Sequence, residues 1–346
     1  MPLFQNSTVD LIKNLVAGDP SKIDLTSTDS ALKFYQAQGL TPLLYHRLKD
    51  QGLNGSVPIE ILDQLKKEYY LTAASNLAKL NQTSKVLQAF QEATILAIPL
   101  KGIALIESLY SNPAIRPMTD VDLLIKPEEL DRVKGILEGF GYQWISSYRG
   151  SHNFIDEGGQ WSFDLHTKFI RFEFLFHIDD TEIYDRLIQI NFNHQIQVPI
   201  FCPEHQLIHL ALHLAPGLYS QLNPTNLFDI YYLINGKQRE LSWEYLVDFA
   251  KRAEIASYIY VPISLCVDIF DIELPRSVLA KLGEGLSFPK RRYLGDAYLK
   301  TILDGGIFSS RIFLERLIWA EGLSKKFKLI QMAVNKYLRI FPQGKA

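Results

Sequence analysis

Apolar side chains recur every third or fourth residue over the first quarter of the chain and again beyond residue 203. Between these stretches lies a region in which they alternate at period two. Leu11, Ile12, Leu15 and Val16 form one helical stripe, Asp29-Ser30 can start a second helix, and Thr41-Pro42 starts a third that runs through His46. Gly52 to Pro58 is a turn-rich break. After it, Leu62, Leu65, Tyr69, Ala73, Leu77, Leu80, Leu87 and Phe90 predict a long helix over Ile59 to Ala93, with at most one interruption. The polar positions of that helix suggest no site, so residues 1–92 read as a structural N-terminal helical cap.

Residues 93–200 alternate strand and helix. Ile95 to Leu100 reads as a buried strand that stops at Lys101-Gly102, and Ile103 to Tyr110 as the helix after it. In Asp120-Val-Asp122-Leu-Leu-Ile125, Val121, Leu123 and Ile125 share one strand face. Asp120, Asp122 and Leu124 share the other. Pro127, followed by Glu128 and Glu129, opens a helix that ends near Gly139, and Gly141-Tyr142 begins another strand. Asn153–Asp156 and Gln160–His166 read as a hairpin around Glu157-Gly158-Gly159, which brings Asp164 within reach of the acid strand. Residues 201–346 return to helical spacing and form a C-terminal helical domain.

Composition narrows the classes. The chain has 346 residues, 47% of them apolar and 12% aromatic, enough for two or three packed units and too much for disorder. A net charge of −2 argues against a surface built for nucleic acid, and the motif region has few basic residues and no aromatic-basic interleaving, so no template strand is expected. Cys202 and Cys266 offer neither ligand spacing nor a disulfide framework, and the N-terminus lacks the basic start and apolar core of a signal peptide. The longest apolar run, Ile255 to Val267, is interrupted by Pro262 and is too short to span a bilayer. A cytoplasmic protein is the expectation.

The chemistry gathers between residues 100 and 166. Two carboxylates on one strand face repel, and a divalent cation relieves that repulsion; hard oxygen ligands suit Mg²⁺ or Mn²⁺. A bare D-x-D is most often a solvated strand edge. Here, however, a strand–Lys101-Gly102–helix turn of the kind that presents N–H groups to an anion lies upstream, and Asp164 and His166 share a strand face downstream. Elsewhere, His205, His209 and His213 recur at metal-ligand spacing, but the leucines around them favour a buried ridge, with His213 available to pair with Asp229. Beyond Glu321, Lys325, Lys326, Lys328, Lys336, Arg339 and Lys345 share a basic amphipathic helix with Phe327, Ile330, Val334, Leu338 and Phe341. Such a helix docks its apolar stripe, or else meets an acidic partner or membrane surface.

Leu100-Lys101-Gly102, Leu109-Tyr110, Arg116, Asp120-Val121-Asp122 and Asp164-Leu165-His166 together resemble the large, poorly characterised bacterial nucleotidyltransferase family of the DNA polymerase beta-like superfamily. The similarity runs over roughly residues 30–250. The usual Gly-Ser of the superfamily's phosphate turn is Lys-Gly here, and the spacing to the first acid is longer. The resemblance implies an α+β fold: a polymerase-beta-like mixed sheet core flanked by N- and C-terminal helical regions. It implies an enzyme that moves a nucleoside monophosphate from a nucleoside triphosphate such as ATP to a hydroxyl of a small molecule, peptide or protein. Asp120, Asp122 and Asp164 would be both catalytic and metal ligands, with Asp164 also helping to deprotonate the acceptor. Lys101 and Gly102 would hold the β and γ phosphates, and His166 would orient Asp164 or touch substrate. Arg116 would clamp phosphate or else form an ion pair that holds its loop. Two alternatives stand beside this reading. One is transfer of another group, such as a sugar, onto a peptide natural product; the other is a non-catalytic nucleotide-binding module, against which the three intact acids argue.

Overall fold

The computed structural model describes residues 7–17, 19–23, 25, 29–148, 150–170, 175–215, 224–286, 326, 327 and 329–331. The helical spacing of the first quarter becomes α1 (Ser7–Val16), α2 (Asp29–Ala37), α3 (Thr41–Asp50) and α4 (Ile59–Glu92). With 34 residues and no internal Gly or Pro, α4 runs unbroken for roughly 50 Å. That length lets it join two apolar clusters. Leu65 and Tyr69, near its start, belong to a core shared with α1–α3 and the C-terminal helices. Leu80, Val86, Leu87 and Phe90, near its end, belong to the core under the sheet.

The alternating region then supplies β1 (Ala97–Pro99), α5 (Lys101–Ser108), β2 (Val121–Ile125), α6 (Leu130–Gly139), β3 (Tyr142–Tyr148), β4 (Ser151–Asp156) and β5 (Ser162–His166). These strands form one mixed sheet in the order β1-β2-β5-β4-β3. All its pairings are antiparallel except the central one, where β2 and β5 run parallel with Asp122 beside Asp164 and Leu124 beside His166. The expected hairpin is present as β4–β5. It is the parallel pairing that brings the second acid to the first. Every residue of β2 is buried, as expected of a central strand covered on both faces.

The short helix α7 (Asp180–Asp185) and a separate hairpin, β6 (Ile188–Phe192) with β7 (Ile196–Ile200), follow; sequence reading gave neither. Next come α8 (Pro203–His213), α9 (Pro224–Lys237), α10 (Trp243–Arg252), α11 (Ala256–Phe270) and α12 (Arg276–Leu282). Leu207, Ile208, Leu210, Leu212 and Leu214 are all buried, as the spacing of α8 requires. Pro262, which breaks the apolar run Ile255–Val267, lies buried within α11. Among the described residues, no helix is long and apolar enough to cross a membrane. The basic amphipathic helix expected beyond Glu321 lies almost wholly outside the described residues.

Candidate active site

Three segments converge at the middle of the sheet. The first is the turn from β1 into α5. Leu100 is extended and its N–H donates to the Asp122 carbonyl (3.0 Å), continuing the β1–β2 ladder. Lys101 then takes a left-handed backbone, φ +49°, and α5 begins without a side-chain cap. A non-glycine residue in this region is strained, by about 1 kcal/mol, and here the turn sets the ammonium over the acid strand. Lys101 Nζ donates to Asp122 Oδ1 at 2.6 Å. Gly102 needs to be glycine for closeness: a Cβ there would collide with Arg116 Nη1 and the Met118 side chain.

The second and third segments are β2 and β5. Asp122 and Asp164 are both buried and sit side by side in the parallel register. His166 Nε2 lies 2.8 Å from Asp122 Oδ1 and 3.4 Å from Asp164 Oδ2. Carboxylates only accept, so in this geometry that nitrogen carries the proton between them. Ser151 Oγ, from the neighbouring β4, donates to Asp164 Oδ1 at 2.5 Å. One ligand atom each from Asp122, Asp164 and His166 can be chosen so that all lie within 4.8 Å of one another. Two hard carboxylates and an imidazole fit a divalent ion such as Mn²⁺ or Mg²⁺, and His166 would give up its Nε2 proton to join them as a ligand.

Asp120 stands outside this ligand set. It precedes β2, and the β2–β5 register begins one residue later, at Val121 beside Phe163, so no β5 residue faces it. Its hydroxyl partner is Thr119, at 3.0 Å. The two acids of the D-x-D are shifted in opposite directions. Burial, and then the charge of Asp122, raise Asp120 above the ordinary carboxylate range. Burial acts on Asp122 in the same sense, but Lys101 and then His166 outweigh it and hold Asp122 well below that range. Unequal acids of this kind are common where protons and cations are handled.

Arg116 is placed as a strut. Its Nε and Nη2 donate to Asp229 Oδ1 and Oδ2 at 2.8 and 2.7 Å, and Nη1 reaches the Pro117 carbonyl at 3.3 Å. Tyr110 Oη adds a 2.7 Å bond to Asp229 Oδ1. The fork is therefore committed to a buried carboxylate on α9, and of its two expected roles the ion pair that holds the loop is the one formed. Asp229, read as a partner for His213, is taken instead by Arg116 and Tyr110. Sequence spacing carried no sign of this link between α9 and the acid loop.

The histidines of α8 form the wall behind Lys101. His209 lines a small cavity with Lys101 and Phe201, and its ring lies 4.4 Å from that of His213. His213 Nδ1 donates to the His209 carbonyl at 2.9 Å, and His205 shares a 2.7 Å hydrogen bond with Tyr245 Oη. Burial, and then the charge of Lys101, push His209 and His213 well below the usual histidine range, so both imidazoles are neutral. They are a dielectric wall for the site.

A family model described as an uncharacterised nucleotidyltransferase matches residues 25–271, a span that contains every residue of the site. Among solved structures, the chain is similar to the lincosamide antibiotic adenylyltransferase LnuA with lincomycin bound. That match has 16% identity and a TM-score of 0.32, and covers 44% of this chain and 94% of that one. The chain is also similar to an antigenic nucleotidyltransferase-like protein from Paracoccidioides brasiliensis. Here identity is 18% and the TM-score 0.35, over 70% of this chain and 98% of that one. No curated protein matches.

Proposed function

The chain belongs to the uncharacterised nucleotidyltransferase family, and we propose that it uses Mg²⁺ or Mn²⁺ to move a nucleoside monophosphate from a nucleoside triphosphate to a hydroxyl of a small-molecule, peptide or protein acceptor. The observation that carries this reading is the parallel register of Asp122 and Asp164, with His166 between them and Lys101 above. A bound divalent ion would supply charge neutralisation and would polarise the α-phosphate. Asp122 and Asp164, with His166, would hold the ion, and Asp120 adds negative charge at the mouth.

The chain's own groups account for the rest. The acceptor oxygen forms a bond to the α-phosphorus, the bond from that phosphorus to the bridging oxygen breaks, and pyrophosphate leaves with the electron pair. Asp164, held by Ser151, takes the acceptor's proton. Lys101 and the uncapped first turn of α5 meet the charge that grows on the leaving pyrophosphate. The neutral imidazoles of α8 keep the surroundings of low dielectric, which strengthens each of these interactions.

The test is transfer of label from α-labelled ATP, CTP, GTP and UTP into acceptors of a cell extract, with Mg²⁺ or Mn²⁺. Label incorporated by the wild type and absent with Asp122→Asn supports the reading. Nucleotide binding without transfer to any acceptor would leave a nucleotide-binding module, and absence of metal-dependent binding would overturn the reading.

A further inference from the structure

Long helix α4 carries a buried polar stripe on the face toward the acid loop. Asn76, Lys79 and Thr83 recur at three and four spacing and are all buried, at 1%, 6% and 0% exposure. Asn76 Nδ2 donates to the Pro113 and Arg116 carbonyls at 2.6 and 2.8 Å. These two bonds fix the register of α4 against the loop that leads into Asp120. On the same stripe, Asn76 Oδ1 and Thr83 Oγ1 are buried without a hydrogen-bond partner among the described residues.

Lys79 is the unusual member. Its Nζ donates to Ser75 Oγ at 2.7 Å, and no carboxylate among the described residues lies within the 4.0 Å of an ion pair. Buried ammonium groups are costly unless paired, and one neutral hydroxyl uses only one of the three donors. The carboxylate whose field Lys79 feels is Asp120, the partly buried acid at the mouth of the site. A charged donor set thus sits under-used beside the D-x-D, on an element that sequence reading assigned to a structural cap.

The charges of the proposed reaction show what Lys79 is suited to. The site gathers three carboxylates, Asp120, Asp122 and Asp164, and among the described residues Lys101 is the ammonium paired with them. A triphosphate brings further negative charge, and a single divalent ion offsets only part of it. Arg116, a cation just before the acid strand, is committed to Asp229. Resting on the nucleotidyl-transfer reading, we infer that Lys79 is a triphosphate-binding residue of this site, supplied by α4. The N-terminal helical region then completes the nucleotide site instead of only covering it.

Calorimetry on the full chain separates the possibilities, using wild type, Lys79→Met and Lys79→Arg with non-hydrolysable α,β-methylene analogues of the four nucleoside triphosphates. The four nucleoside monophosphates serve as comparison, and Mg²⁺ is present throughout. Loss of one charged hydrogen bond weakens triphosphate binding by roughly 10- to 100-fold. Lys79→Met should show that loss with monophosphate affinity changed by less than about threefold, and Lys79→Arg should recover most of it. Because Lys79→Met removes a buried charge with no acid partner, its melting temperature should equal or exceed that of the wild type. Unchanged triphosphate affinity in Lys79→Met would overturn the inference. So would equal loss of triphosphate and monophosphate binding together with a lowered melting temperature, the mark of a structural lysine. Wild type that binds no triphosphate would overturn the nucleotide reading and this inference together; wild-type binding that survives in Lys79→Met overturns the inference alone.

Discussion

Replacing Lys101 by Met should change metal binding and triphosphate binding in opposite directions. The substitution removes the ammonium 2.6 Å from Asp122 Oδ1 and leaves His166 Nε2, at 2.8 Å, as the partner of that oxygen. The Lys101 side chain is 20% exposed and that of Asp122 7%, so the pair lies between two limits. Exposed pairs contribute up to about 1 kcal/mol, and breaking a buried pair costs about 3–5 kcal/mol; with one side partly wet, about 2 kcal/mol is the expected loss of stability near neutral pH. The pH sign follows from Asp122. Burial would raise it, Lys101 and then His166 hold it low, and a depressed folded pKa stabilises above the unfolded carboxylate value of about 3.9. That contribution is lost as pH falls through the folded value, so wild type and variant should converge in acid. For a divalent ion the same change removes a fixed positive charge beside its ligands. Mn²⁺ affinity should therefore rise by up to about the same 2 kcal/mol, roughly 30-fold. Triphosphate affinity should fall, because the charge that meets the leaving pyrophosphate is gone. Urea melts at pH 7 and at a series of pH values below about 3.9, with Mn²⁺ and nucleotide titrations by calorimetry at pH 7, measure all three quantities. Mn²⁺ affinity that falls together with triphosphate affinity would refute the argument, since the ammonium would then organise the ligands instead of opposing the ion.

Membership of the metal set is tested by four further substitutions: Asp122→Asn, Asp164→Asn and His166→Gln should each lower Mn²⁺ affinity by about tenfold or more, while Asp120→Asn should stay within about threefold. A drop for Asp120→Asn as large as for Asp122→Asn would place Asp120 among the ligands after all. Arg116→Met leaves the Asp229 carboxylate buried with Tyr110 as its remaining partner, so stability should fall by about 4 kcal/mol in urea, and Asp229→Asn in the same chain should recover part of it. Stability within about 1 kcal/mol of wild type, with nucleotide binding lost, would return Arg116 to the role of phosphate clamp. Burial, and then the charge of Arg186, lower His205 from 6.5 to about 4. A histidine whose folded pKa lies below its unfolded one stabilises above pH 6.5 and loses that contribution as pH falls toward 4, here by about 3 kcal/mol. The pH dependence of unfolding free energy should flatten over that window in His205→Gln, and an unchanged slope would remove His205 as the cause.

Local pattern was enough to place the elements of the site. Alternation over Val121–Ile125 predicts a strand with Asp122 on one face, because period two is a property of each residue and its neighbours. The turn residues Glu157-Gly158-Gly159 predict the β4–β5 hairpin in the same way, and the leucine spacing of α8 predicts its burial. The family resemblance likewise rests on residues close in sequence, and it holds over residues 25–271.

What the tertiary structure decided are the pairings that join distant segments. The parallel register of β2 and β5 put His166 with Asp122 and Asp164 in one group that could hold a cation and left Asp120 without a β5 neighbour. A register is a relation between two strands and is written in neither alone. The same holds for Arg116, whose partner Asp229 lies on α9, 113 positions away. Lys79 is the clearest case. In sequence it is one more polar position on an amphipathic helix, where a lysine ordinarily faces water. It is buried here because α4 lies against the acid loop on one side and the sheet core on the other. Spacing along the chain fixes which residues share a helix face, but only the packing of that face against other elements decides whether its charges meet solvent or the site.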